Sequence, residues 1–381
     1  MRSRSRGTAV HDVSRLRVLF VASVAVGAGG ATGGQAVAAN ALFESGLASA
    51  VELELLSRAL PSVPPPALPR RAARAVARLS RFVRRLWAAD VVLVFAADAV
   101  SLLEKGWMCI LARLARRGVV LRISGGNVPE QCARWPVLGT WLRLVLRSAH
   151  CVCTQSGYWT AYFGRFAGVD KIIEVSNGVR LGDPPAPHAP GRRIVFVGWV
   201  TREKGVFEAL EVLAGVRAAH PSATLTVVGG GRDLEAFRER ATIAGLSPAV
   251  RTTGWLGRHD VQRVLGESDV FLFPSHSEGL PNAVIEAMAV GLPVVATGVG
   301  GLPDLIRHSE NGFLVEVGDV VDMTARVVEL FSRPELAGQI GQRGRQTVVE
   351  RCDIERVWPR YARAIHEAAW RVGRAPAVAR A

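Results

Sequence analysis

Short apolar runs recur along this chain, each closed by Gly, Pro, Ser or Asp, and helical patterns separate most of them. They are Val91–Phe95, Val119–Ile123, Cys151–Thr154, Ile172–Val175, Ile194–Val197, Leu225–Val228, Val270–Phe273 and Pro293–Ala296. Continuous apolar runs of this length suit strands buried on both faces, and strand–helix alternation suits parallel sheets covered by helices. The expected class is α/β. A chain of 381 residues, 49% hydrophobic, is long enough for two domains of ordinary size. The clearest break is the proline- and glycine-rich stretch Leu181–Gly191, a linker by composition. The expectation is therefore two doubly wound, Rossmann-like domains, 1–185 and 186–350, facing a cleft, with 351–381 as a terminal element.

The amino terminus admits two readings. A basic leader, the run VLFVASVAV and then Ala36–Ala39 imitate a secretory signal with its cleavage site. The alternative is a first buried strand, Arg17–Ser23, a glycine loop from Gly27 to Gly34, and a helix from about Gln35. The strand is favoured because glycines interrupt the apolar core early and the leader is unusually long. The same glycines leave no uninterrupted run long enough to span a membrane. Gly27-x-Gly29 has Thr32 where a dinucleotide fingerprint needs glycine, and Gly229-Gly230-Gly231 fails that pattern too. Such glycines are expected to let a backbone approach a ligand at a strand end.

Chemistry concentrates in Pro274–Asp304. The run ending at Pro274 closes a strand, Glu278-Gly279-Leu280 leaves its carboxyl end, and Pro281 or Asn282 opens a helix with Val284, Ile285 and Met288 at helical spacing. Unpaired N–H groups at such a helix start suit a phosphate. Glu278, ahead of the helix, is better explained by hydrogen bonds to sugar hydroxyls than by charge balance. Glu286, two turns inside, reaches a second set of hydroxyls, a ribose. A ligand with hydroxyls on both sides of a diphosphate is a nucleotide sugar. The competing reading is that both glutamates merely cap and solvate a helix.

Glu278 and Glu286, with seven residues between them, resemble the signature of the family-4 retaining glycosyltransferases (glycosyltransferase group 1 type). The resemblance extends through Phe196–Val206, Leu225–Gly231 and Val175–Val179, covering roughly residues 175–320. It implies the GT-B fold, in which the last helix crosses back to the first domain; Val348–Arg371, with Trp358, Tyr361, Ile365 and Trp370 as contacts, is the stretch expected to do so. It also implies transfer with retention of anomeric configuration from a nucleotide sugar, UDP- or GDP-linked, with no cofactor. By the same resemblance Gly279, Leu280, Pro281 and Asn282 bind the donor, Gly254-Trp255-Leu256 holds the base, and Gly33-Gly34 faces the phosphates or the acceptor across the cleft.

Lys204, close after the strand Ile194–Val197, is expected to neutralise charge on the departing diphosphate. Lys204-Gly205 matches the family position, but Trp199 stands where the family usually has arginine; Arg202 is the expected substitute. Glu278, Lys204 and Arg202 are thus the expected catalytic residues. Asn127 and Glu130, in the loop after Val119–Ile123, are expected to touch the donor sugar or the acceptor, Asn127 on the acceptor side of the cleft; a loop that merely turns the chain is the alternative. His259 and His276 stand alone and suit structural or solvent roles. No Asp-x-Asp occurs, so no divalent metal is expected. Five cysteines without a Cys-x-x-Cys argue against a disulfide framework or zinc site and suit a cytoplasmic location.

Charge points to a partner. The formal net charge is +14, and Arg70–Arg85 holds seven arginines, with Val76, Leu79, Val83 and Trp87 on another face of the same helical pattern. A basic amphipathic helix suits an anionic membrane surface, placing the protein peripherally at the inner face of the cell membrane. Arginine bias from a GC-rich genome is the competing explanation. Nucleic acid is disfavoured because no nucleic-acid module accompanies the charge. The expected function is sugar transfer to a glycolipid or polysaccharide acceptor. A nucleotide-sugar epimerase or hydrolase, and a basic binding protein without activity, are the alternatives.

Overall fold

The computed structural model describes residues 15–22, 34–56, 68–97, 99–183 and 189–374. The basic leader, Gly33 and most of the glycine loop therefore lie outside the described residues, as does part of the proline-rich linker.

The first sheet is built from β1 (Arg17–Val21), β2 (Glu52–Leu55), β3 (Val91–Ala96), β4 (Gly118–Ile123), β5 (Cys151–Thr154) and β6 (Ile172–Glu174). Its order is β2-β1-β3-β4-β5-β6, and every pair is parallel. Among the described residues seven helices lie between: α1 (Gly34–Phe43), α2 (Leu47–Ala50), α3 (Leu68–Leu86), α4 (Ala99–Leu114), α5 (Val128–Arg134), α6 (Pro136–Ser148) and α7 (Gly157–Ala167). One face of this sheet packs on α3, α4, α6 and α7 through Phe82, Met108, Val145 and Phe163.

The second sheet holds β7 (Arg193–Val197), β8 (Thr224–Val228), β9 (Val250–Gly254), β10 (Val270–Phe273), β11 (Val294–Thr297) and β12 (Phe313–Val315), in the order β12-β11-β10-β7-β8-β9. Its pairs are also parallel. The helices are α8 (Val206–Ala219), α9 (Leu234–Ile243), α10 (Arg258–Gly266), α11 (Asn282–Ala289), α12 (Leu302–Leu305), α13 (Val320–Ser332) and α14 (Pro334–Arg351). Winding reverses between β7 and β10, and an open α/β sheet binds ligands beyond the carboxyl ends of the strands at such a point. The loops that leave those two strands carry Lys204 and Glu278.

The last helix, α15 (Ile354–Trp370), returns to the first sheet and buries Val357, Tyr361, Ile365 and Ala368 with β1, β3 and β5. Two details differ from the expected continuous crossover. The chain breaks after α14, where Asp353 accepts a hydrogen bond from the Glu355 amide at 3.1 Å, and Val179 bonds both Cys352 and Ile354 through its backbone. Trp370 is 63% exposed. It lies nine residues beyond Tyr361, about half a turn around the helix from the buried stripe.

Candidate active site

Two cavities meet between the sheets. The larger, of about 440 Å³, is lined by Val197, Trp199, Trp255, Leu256, Arg258 and Glu286 of the second domain, by Val37 and Asn40 of α1, and by Glu44 just after that helix. The smaller, of about 260 Å³, is lined by Gln35, Ser124, Gly126, Asn127, Gln155 and Asn177. Both are bounded by Gly34, Lys204, Glu278, Pro281 and Asn282, which therefore form the seam between them.

At that seam Lys204 Nζ donates to Glu278 Oε1 at 2.6 Å. The two side chains are 27% and 10% exposed, so the pair is only partly screened by solvent. Tight packing delivers each partner. Gly205, in the left-handed conformation at φ +73°, presses against the Pro274 carbonyl, where a Cβ would sit 1.9 Å from the oxygen. Gly126 admits the backbone of Glu278, which a Cβ there would approach to 2.4 Å.

The 277–282 loop is bonded to the first domain at successive positions. Ser277 Oγ donates to Asn127 Oδ1 at 2.8 Å, and Trp159 Nε1 to the Gly279 carbonyl at 2.9 Å. Asn177 Nδ2 donates to the Leu280 carbonyl at 2.7 Å, and Asn282 Nδ2 to the Gly34 carbonyl at 2.6 Å. Gln35 Nε2, Ser124 Oγ and Asn282 Oδ1 are buried with no hydrogen-bond partner among the described residues. Buried polar atoms left unpaired at a cleft are places for a ligand's polar groups.

Glu286, in α11, faces the larger cavity. Desolvation among its apolar walls pushes its carboxyl up to about 7, against the pull of the Arg258 guanidinium. Trp199 and Trp255 meet edge to face with centroids 4.7 Å apart, forming an aromatic wall of that cavity.

Glu278, Lys204, Gly279, Leu280, Pro281, Asn282, Glu286, Trp255, Leu256, Gly34 and Asn127 all line one or both cavities. Arg202 does not: its guanidinium lies over the Phe207 ring, 4.6 Å from the centroid, and its amide donates to Asp233. The stand-in for an arginine at Trp199 is thus directed elsewhere, while Arg258 brings a guanidinium to the larger cavity. Glu130 is exposed in the first turn of α5 and lines neither cavity. His276 pairs with Glu208 at 2.7 Å. The triple glycine after β8 presses against protein at all three positions, since Cβ atoms at Gly229, Gly230 and Gly231 would strike the Gly198 carbonyl, Trp255 and the Val200 carbonyl. Sequence reasoning gave no role to Asn177, Gln155, Trp159 or Arg258. Asn177 stood inside a motif already singled out; the others carry no local signal.

A two-domain GT-B architecture with its cleft at the switch point of the second sheet is the class these features define. Residues 186–347 match the family described as glycosyl transferases group 1. A 173-residue stretch is 37% identical to the amylovoran biosynthesis glycosyltransferase AmsK of Erwinia amylovora, covering 41% of this chain and 42% of that protein. The D-inositol 3-phosphate glycosyltransferase of Segniliparus rotundus is 33% identical over 240 residues, 58% of this chain and 52% of its own. The chain thus spans about half the length of these curated relatives. Among solved structures, sucrose-phosphate synthase from Thermosynechococcus elongatus superposes with a TM-score of 0.74 at 20% identity, covering 92% of this chain and 98% of the other. Anabaena HepE in complex with UDP does so at 0.72 and 18%, covering 92% and 99%. Both show the shared fold.

Proposed function

We propose that the protein transfers a sugar from a nucleoside-diphosphate sugar to a glycolipid or polysaccharide acceptor with retention of configuration, working peripherally at the inner face of the cell membrane. The observation that carries this reading is the Lys204–Glu278 pair at the seam of two cavities. The larger cavity, with Glu286 and the tryptophan wall, takes the nucleoside; the smaller takes the acceptor. HepE has been solved with UDP-glucose, which supports a uridine donor here, and AmsK supports a polysaccharide setting.

On this reading the diphosphate draws the Lys204 ammonium away from Glu278, and Lys204 with the α11 amide groups balances charge on the leaving group. Glu278, released, accepts from the donor sugar. The acceptor hydroxyl forms its bond to the anomeric carbon on the face from which the diphosphate departs. The phosphate oxygen that leaves takes the acceptor proton. Positioning and electrostatics supply the catalysis.

The test is a panel of UDP- and GDP-sugars incubated with the protein and with membrane glycolipids, read as released nucleotide and as labelled lipid. Nucleotide released equally without acceptor would favour a hydrolase. Turnover is expected to survive EDTA, and loss restored by magnesium would require a metal at the diphosphate.

A further inference from the structure

The first domain displays an unusual outer surface. Of fourteen exposed large hydrophobic residues among the described residues, nine lie between Val76 and Leu144. Six of these belong to the adjacent helices α4 and α6 and the turn before α6: Leu103, Trp107, Leu114, Trp135, Val137 and Leu144. Leu103, Trp107 and Leu114 recur at helical spacing on the side of α4 opposite its buried Met108, Cys109 and Ala112. Trp135 is 60% and Val137 79% exposed. An isolated exposed leucine needs no explanation, but a cluster containing two exposed tryptophans does.

The cluster sits on a rigid platform. α4 and α6 cross at Gly106, where a Cβ would lie 2.6 Å from Val145 and 2.8 Å from Trp141. Trp141 Nε1 donates to the Leu102 carbonyl at 2.9 Å, and its ring lies 5.0 Å from that of Trp107. The charge around it has one sign. Arg113, Arg116, Arg134, Arg143 and Arg147 are exposed, whereas Glu104 is tied to Arg78 at 2.6 Å and Glu130 is the exposed carboxylate of this stretch. From residue 68 to 148 the sequence has fifteen Lys and Arg against four Asp and Glu.

We propose that this outer face of α4 and α6 docks on the surface of an anionic lipid bilayer. Tryptophan rings settle at the boundary between headgroups and acyl chains, and arginines beside them meet the lipid phosphates. Neither helix needs to cross the bilayer, and no helix of the described residues is long and apolar enough to do so. The surface leads to the cleft. Trp135 follows α5, whose other end adjoins Asn127 in the smaller cavity, and its seven residues span about 10 Å. A lipid-linked acceptor anchored in the bilayer beside Trp135 has its headgroup within reach of Glu278. The proposal rests on the transfer reading for this purpose alone.

Binding is measured without transfer, by sedimenting the full chain with vesicles of phosphatidylcholine, or of phosphatidylcholine mixed with phosphatidylglycerol. Binding is expected on the anionic vesicles, with a blue shift of tryptophan emission, and is expected to weaken as salt rises. Trp107→Ser with Trp135→Ser should weaken it about tenfold or more, and Arg134→Gln and Arg147→Gln about fivefold each. Melting curves and calorimetry with UDP and GDP verify that each variant is folded and its cleft unchanged. Equal binding to both vesicle types, or tryptophan variants that bind as the parent does, would overturn the proposal. So would self-association lost in the same variants, which would make a second copy the occupant. Vesicle binding without sugar transfer would instead refute the transfer reading and leave the docking surface standing.

Discussion

Lys204 and Glu278 hold each other in the cleft, and each therefore keeps the other's charge from being stranded in a partly desolvated site. A diphosphate offers the lysine a stronger acceptor. Lys204→Ala should lower kcat/KM about ten- to a hundredfold, the value of one charge-assisted hydrogen bond. Steady-state kinetics with the donor checks this; parental values would remove Lys204 from the mechanism. The two glutamates should separate. Glu278→Gln is expected to slow turnover while leaving affinity for the bare nucleoside diphosphate nearly intact, whereas Glu286→Gln should weaken that affinity. The sign of the pH effect at Glu286 follows from its carboxyl, pushed up to about 7 in the folded protein. The folded state keeps a proton that the unfolded chain has already released, so this group's contribution to stability falls as pH rises from about 4.5 to 7. Glu286→Gln removes that loss, and its melting temperature relative to the parent should rise across the window. Ribose hydroxyls donating to the carboxylate favour its ionised form, so nucleotide affinity should fall below pH 7 in the parent and change less in the variant. Calorimetry at pH 6 and pH 8 decides it.

Helix α15 is held to the first domain by more than its apolar stripe. Arg122, in β4, is 1% exposed and no carboxylate pairs with it among the described residues. Its guanidinium donates to Tyr361 of α15 and to Asn177, and it lies 4.9 Å from the centroid of Phe95. Asn177 in turn holds the Leu280 carbonyl, so a buried guanidinium behind the cleft orients the 277–282 loop through one intermediate. Arg122→Met should cost about 2–4 kcal/mol, the loss of charged hydrogen bonds and a ring contact. It should also raise KM for the donor more than it lowers kcat. Thermal melts and kinetics test both, and an unchanged KM would confine Arg122 to the core. The basic helix shows what periodicity alone misses. Leu79 packs with Phe82 and Leu86 toward the core, while Val76, Val83 and Trp87 of the expected apolar face remain exposed. Strands missed by apolar runs, β2, β9 and β12, are all at sheet edges. The alternating Glu52–Leu55 and the polar Val250–Gly254 are less buried than the central strands, so their sequences carry no continuous apolar run.

At the scale of the molecule, the cleft is closed around the 277–282 loop, and the α7 Tyr158 amide adds a bond to Asp304 of the second domain at 2.8 Å. Gly126 permits that closure. Gly126→Val should reduce transfer by about a hundredfold or more, because its side chain would displace the Glu278 backbone and misplacement near the chemistry is costly. On the proposed reading, in which the larger cavity takes the nucleoside, nucleotide affinity should change little; loss of both would mean that the loop folds as one unit with Gly126. The parallel sheets, the cleft-facing glutamates and the lysine were legible because periodicity and strand-end motifs are local. Continuous apolar runs specify strands buried on both faces, and a carboxylate before a helix start has few explanations. Only the tertiary structure could pair Lys204 with Glu278, send Arg202 to Phe207, bring Arg258 beside Glu286 and turn Trp370 outward. Those outcomes depend on which side chains meet across tens to hundreds of residues, and on the space that glycines such as Gly126 leave between two domains.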